Sequence, residues 1–158
     1  NDAALKASAW WLFGTYAMNS LRMEKAYRGW GLELTNEVTM VEADMERFVH
    51  YDKEFIGKAG TLRSRSEGPR FVLCYLEVDA DNADCLGNEP VYCDGKPAGL
   101  TTGGAYGFAV QKSLTFAYLD PRMRHDGARL EVMLRGELRG ARLLPEPVWD
   151  PANQRLRS

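Results

Sequence analysis

The chain has 158 residues, 45% of them hydrophobic, with 20 lysines and arginines against 22 aspartates and glutamates and a formal net charge of −2. That is enough apolar material for a real core in one medium or two small domains, and it lacks the positive field that would favour nucleic acid or an anionic membrane as partner. No apolar run approaches the ~20 residues needed to cross a bilayer, and three cysteines, Cys74, Cys85 and Cys93, form neither an even disulfide framework nor a Cys-x-x-Cys metal pair, which fits small buried hydrophobes in a reducing compartment, the cytoplasm or, in a eukaryote, the mitochondrial matrix.

In chain order, Asp2 is placed to cap an amphipathic helix whose apolar positions Leu5, Ala9, Phe13, Tyr16 and Ala17 recur at three- and four-residue spacing, with Trp10 and Trp11 beside them. A chain that opens inside such a segment reads as a piece of something longer. Leu21-Arg22-Met23-Glu24 fits two registers: an extended one puts Arg22 and Glu24 on one face, and a helical one separates them by about 200°. Gly29 and Gly31 bracket Trp30 in a tight turn. Thr39 to Arg47 reads as a short helix with Thr39 as cap and Glu42 as its capping-box partner, followed by a strand over Phe48 to Tyr51. Phe55 to Gly60 opens a further short helix or turn, and the polar, breaker-rich run from Arg63 to Pro69 marks a domain boundary.

From Arg70 onward short β-type runs alternate with turn residues. Phe71 to Val78 is almost continuously apolar and calls for cover on both faces. Pro90 to Cys93 turns through Asp94-Gly95 into Lys96 to Thr102. Leu130, Val132 and Leu134 alternate with polar or bulky partners, turn at Arg135-Gly136 and return through Leu138 to Leu144. The glycines of Gly99 to Gly107 match no phosphate-binding pattern and predict a bulge or a close strand approach.

Other chemistries find little support. Asp79 to Pro90 fails as a calcium loop at its sixth and twelfth positions, Asp84 and Pro90. His50 and His125 stand apart with no cysteine near in sequence, so no zinc site is expected. No serine, histidine and carboxylate fall in a nucleophilic arrangement.

The residues with the most particular order are Ser20, Leu21, Arg22, Glu24, Lys25, Tyr27, Trp30, Gly31, Glu33, Leu34 and Thr35. They match a Ser-Leu-Arg-Leu-Glu-Lys-Gly-Tyr, Trp-Gly, Glu-Leu-Thr signature. The chain thereby resembles the folate-binding domain shared by the glycine-cleavage aminomethyltransferase and the C-terminal halves of dimethylglycine and sarcosine dehydrogenases. Phe55-Ile-Gly-Lys58, Gly87-Asn-Glu-Pro90, Gly99 to Gly104, Ala117-Tyr-Leu119 and Val148 to Asn153 carry the resemblance through the rest of the sequence. Ala26 stands where that family usually has glycine, and Met40 where it often has proline.

The resemblance implies an α+β fold, with a partial folate-binding α+β domain over residues 1–66 followed by a small antiparallel β-barrel over 67–158. It implies tetrahydrofolate as cofactor, with Arg22, Trp30, Tyr27 and Glu24 as binding residues. Arg22 offers a rigid fork of donors, and its plainer role is a salt bridge to Glu24 or Glu33 that braces the fold. Tyr27 and Trp30 either stack on a flat ring or pack in the core, and Glu24 either accepts from ring N–H groups or orients Arg22. The resemblance further implies that the parent's catalytic aspartate and FAD lie in domains preceding Asn1, which are this piece's partners, and that the piece alone turns over no substrate. It leaves open a non-catalytic relative serving iron–sulfur protein maturation, whose cysteine motif is missing at Lys53 to Lys58, and a structural docking module.

Overall fold

The structure, a computed structural model, describes residues 13–125, 127–155 and 157. The helix cap at Asp2 and the apolar positions up to Trp11 lie outside the described residues. Helix α1 spans Thr15–Glu24, so the helical register holds across Arg22 and Glu24. Helix α2 spans Lys58–Glu67, and six strands follow: β1 Val72–Val78, β2 Pro90–Cys93, β3 Lys96–Gly107, β4 Lys112–Leu119, β5 Leu130–Leu134 and β6 Glu137–Leu143.

The strands close an antiparallel barrel in the order β1-β4-β3-β2-β5-β6, sealed by β1 against β6 from Leu76↔Leu143 to Val78↔Ala141. Both predicted hairpins are present. Asp94 and Gly95 have φ of 50° and 76°, and Arg135 and Gly136 have 53° and 87°. Two successive left-handed residues give the turn whose twist matches paired strands.

Strand alternation sorts two cores. Cys74, Leu76 and Val78 of β1 point into the barrel with Val91, Cys93, Ala117, Leu119, Leu130, Val132 and Leu134. Leu73 and Tyr75 of the same strand point outward with Leu114 and Phe116, onto Met23 and Ala26. The nearly unbroken apolar run of β1 is thus explained by cover on both faces, and the full burial of Met23 alone is worth about 1.5–3 kcal/mol. All three cysteines are free and buried.

The glycine-rich run of β3 serves close approach. A Cβ on Gly99 would lie 1.9 Å from the Tyr118 carbonyl oxygen, and one on Gly107 would lie 2.9 Å from Glu24 Cγ. The register of β3 against β4 shifts between Thr101 and Gly103, the expected bulge.

Two local expectations fail. The helix over Thr39 to Arg47 stops after one turn, although its capping box forms with Thr39 N–H donating to Glu42 Oε2 at 2.9 Å and Glu42 N–H to Thr39 Oγ1 at 3.2 Å. Asp44 adopts φ 54°, and Met45 N–H reaches back to the Met40 carbonyl at 2.9 Å, a left-handed cap that ends the helix at once. No strand forms over Phe48 to Tyr51, where a 3₁₀ turn, Glu46–Phe48, runs into loop. The breaker-rich run from Arg63 forms the second half of α2 as far as Glu67, a helix with no buried residue and so no apolar periodicity to read.

Candidate functional site

Helix α1 ends in the same kind of cap. Ala26 has φ 53°, with Tyr27 N–H donating to the Arg22 carbonyl at 2.8 Å and Ala26 N–H to that of Met23 at 3.0 Å. Glycine is the ordinary residue at such a position, at a saving of about 1–2 kcal/mol. Here the alanine methyl is 7% exposed within the outer core, and its burial offsets part of the strain. The Arg28 guanidinium then ties this cap to the one at Asp44, donating to the Ala26 carbonyl at 3.1 Å and to Asp44 Oδ2 at 2.9 Å.

The cap turns the chain so that Arg22 meets the loop after it. Arg22 Nη1 pairs with Glu33 Oε2 at 2.8 Å and Nε donates to Asn19 Oδ1 at 2.7 Å. Glu33 has no solvent exposure, and it also accepts from Gly29 N–H at 2.7 Å and Thr102 Oγ1 at 2.6 Å. Its own carbonyl accepts from the Tyr118 hydroxyl at 2.6 Å, and burial pushes that hydroxyl's pKa up to about 12. Arg22 Nη2 is buried without a partner among the described residues. It lies 3.7 Å from the Cβ position of Gly103, and Leu32 Cδ1 lies 3.9 Å from the same point.

The four residues singled out in the sequence do not form one cluster. Glu24 is 2% exposed and turned away from Arg22, its Oε1 accepting from Ala109 N–H at 2.7 Å. Two residues apart on a helix, the side chains diverge by about 200°, so Glu24 clamps α1 to the β3–β4 turn and the brace for Arg22 is Glu33. Tyr27 and Trp30 stand outside the core at 51% and 74% exposure. Trp30 sits in the predicted tight loop, where Gly31 has φ 84° and donates to the Leu34 carbonyl at 2.8 Å.

Beside this wall, from Tyr27 onward, lies a cavity of about 460 Å³ whose lining includes Lys25, Arg28, Arg47, Arg124 and Phe116. The C-terminal run closes one side of it. Lys25 Nζ donates to the Asp150 carbonyl and to Asn153 Oδ1, both at 2.7 Å, and Trp149 N–H donates to the Glu24 carbonyl at 3.1 Å. Asn19, Thr102 and Asn153 were not readable as members of this assembly. Each is a small polar residue whose partner is 69 or more positions away or lies one helical turn along.

At the β2–β3 hairpin the expectation of histidines without a cysteine neighbour fails. A cysteine does lie near a histidine: Cys93 Sγ is 4.0 Å from His125 Nε2, because the β2–β3 turn and the loop after Met123 meet at one end of the barrel.

A family model described as "Glycine cleavage T-protein C-terminal barrel domain" matches residues 72–150, half of the chain, and one described as "GCVT N-terminal domain" matches residues 3–53. The chain belongs to the glycine-cleavage T-protein family. Among T-protein relatives, mitochondrial dimethylglycine dehydrogenase of Mus musculus is 41% identical over 91% of this chain, which spans 17% of that protein. An aminomethyltransferase of Thermoanaerobacter pseudethanolicus is 30% identical over 78% of this chain and 34% of its own length. The glycine cleavage system aminomethyltransferase T from Bartonella henselae superposes with a TM-score of 0.81 at 21% identity, covering 95% of this chain and 43% of that one, which establishes a common fold. No helix among the described residues is long and apolar enough to cross a membrane.

Proposed function

We propose that this chain is the C-terminal part of a folate-dependent one-carbon enzyme of the dimethylglycine and sarcosine dehydrogenase type, and that it helps to hold tetrahydrofolate as acceptor of the one-carbon unit. The observation that carries this reading is the wall at the end of α1. There a guanidinium locked by Glu33 and Asn19 keeps a spare buried donor, Nη2, and the loop that follows the helix carries two exposed aromatic side chains, Tyr27 and Trp30. The domains that precede the T-protein unit in its dehydrogenase relatives are the natural cover for Phe13, Tyr16 and Leu21, which are 58–90% exposed. FAD belongs to those domains, and no residue of this chain is assigned to it.

The residues fit a flat, acid-tailed cofactor. Bound tetrahydrofolate supplies the amine nitrogens that take up the carbon. Trp30 and Tyr27 offer faces for its rings, Arg22 offers a preorganised polar donor once Leu32, 46% exposed, is displaced, and the cavity lined by Lys25, Arg28, Arg47 and Arg124 suits the carboxylate tail. Glu24 is left out of this assignment because its carboxylate is buried on Ala109. Positioning two reactants supplies much of the rate of such a transfer, which agrees with a wall rich in braces.

The test is calorimetric titration of the full-length polypeptide with tetrahydrofolate, wild type against Trp30→Ala. Trp30 contributes little to packing, so the variant should melt like the wild type and bind about 0.5–1.5 kcal/mol more weakly, up to roughly tenfold in Kd. Equal affinities would remove Trp30 from the site.

A further inference from the structure

Where the β2–β3 turn meets the loop after Met123 stand three metal-ligand groups to which the folate reading gives no role, although His125 is part of the lining of the same cavity. Cys93, the last residue of β2, Asp94 in the turn that follows, and His125 in the loop after Met123 place one ligand atom each within 4.8 Å of one another. Cys93 Sγ stands 3.7 Å from Asp94 Oδ2 and 4.0 Å from His125 Nε2, and Asp94 Oδ2 stands 3.6 Å from His125 Nε2. We propose that Cys93, Asp94 and His125 form a binding site for a thiophilic divalent cation of the zinc type.

The geometry is close to what such an ion requires. Tetrahedral zinc bonds of about 2.0–2.3 Å put neighbouring ligand atoms about 3.3–3.6 Å apart, so a contraction of a few tenths of an ångström brings all three onto one ion. The donor set decides the class of metal. A thiolate, an imidazole and one carboxylate select zinc-like ions over calcium or magnesium, which want oxygen alone. A thiolate and a carboxylate also balance a dication with the histidine neutral, and the Cys93 thiol proton leaves to bulk water as the metal–sulfur bond forms.

Access and support agree with the assignment. Cys93 is 1% exposed, while the side chains of Asp94 and His125 are 55% and 52% exposed, so an ion enters from solvent and keeps an open fourth position for water. Asp94 is fixed from the far side, its N–H donating to the Arg129 carbonyl at 3.0 Å and its Oδ1 accepting from Arg129 N–H at 3.3 Å. An ion held by these groups would fasten the β2–β3 turn to the β4–β5 loop.

Titration of the full-length polypeptide with Co²⁺, in the absence of chelators, tests this directly. The wild type should show a thiolate-to-cobalt charge-transfer band in the near ultraviolet that Zn²⁺ abolishes. Cys93→Ser should lack the band, and His125→Ala should weaken Co²⁺ binding more than about tenfold, the size of effect that even an outer-shell partner commands. Because His125 is on the surface, its variant should fold normally and remains decisive if Cys93→Ser does not. No band in the wild type, or an unchanged affinity in His125→Ala, overturns the proposal.

Discussion

Arg22 and Glu33 show how one buried pair organises the surface proposed to face folate. Their ion pair has 15% and 0% side-chain exposure, and Glu33 accepts from three further groups or elements: the Gly29 backbone, Thr102 of β3 and, through its carbonyl, Tyr118 of β4. Satisfying so many lone pairs is what makes a buried carboxylate tolerable, and breaking the pair leaves a charge stranded. Glu33→Ala is therefore expected to destabilise the fold by about 3–5 kcal/mol, read as a lowered denaturation midpoint. A loss below about 1 kcal/mol would show the pair to be incidental. Sequence order picked out Arg22 and named Glu33 among its possible braces. It could not rank Glu33 over Glu24, since the choice depends on helical register and on the turn that Ala26 imposes at φ 53°.

Elements with two-residue turns and strict alternation were the legible part of the fold. Asp94-Gly95 and Arg135-Gly136 announced their hairpins, and the double-sided apolarity of β1 announced a buried strand. Less legible were the segments between α1 and β1. Helix α2 has no fully buried residue, and the helix begun at Thr39 is cut by one left-handed residue, Asp44, that no pattern of hydrophobicity reveals. The glycines of β3 follow a different logic, that of space. Gly99→Ala would push a methyl into the Tyr118 carbonyl, 1.9 Å away, where β3 pairs with β4 at Gly99↔Leu119. We expect a loss of about 3 kcal/mol, the upper end for overpacking, measurable by chemical denaturation, and neutrality would mean the ladder is free to shift there.

At the scale of the whole molecule, buried and half-buried carboxylates fasten the α-helical part to the barrel and the barrel to itself. Burial raises the pKa of Glu42, but hydrogen bonds from Arg70 and Thr39 outweigh it and the net value lies below the usual range. Glu77 is likewise raised by burial and lowered further by Lys112 and Arg142, and Glu89 is raised by burial and lowered further by Thr101 and the N–H groups of Leu86 and Gly87. A carboxylate depressed on folding adds stability that is complete above its unfolded value, about 4.3 for glutamate, and is lost as pH falls through the folded value. The melting temperature should accordingly hold from neutrality to about pH 5 and fall below about pH 4. A melting temperature unchanged at pH 3 would mean these pairs contribute nothing to stability.

The same view of the whole makes the end of α1, with its locked guanidinium and outward aromatics, the surface we propose for the cofactor. A crystal structure of the full-length polypeptide with tetrahydrofolate bound tests that most directly. The expected result is the ring system against Trp30 or Tyr27, a polar edge on Arg22 and the tail directed to the cavity of Lys25, Arg28 and Arg47. A cofactor seated elsewhere, with Trp30 and Arg22 both out of contact, would contradict it.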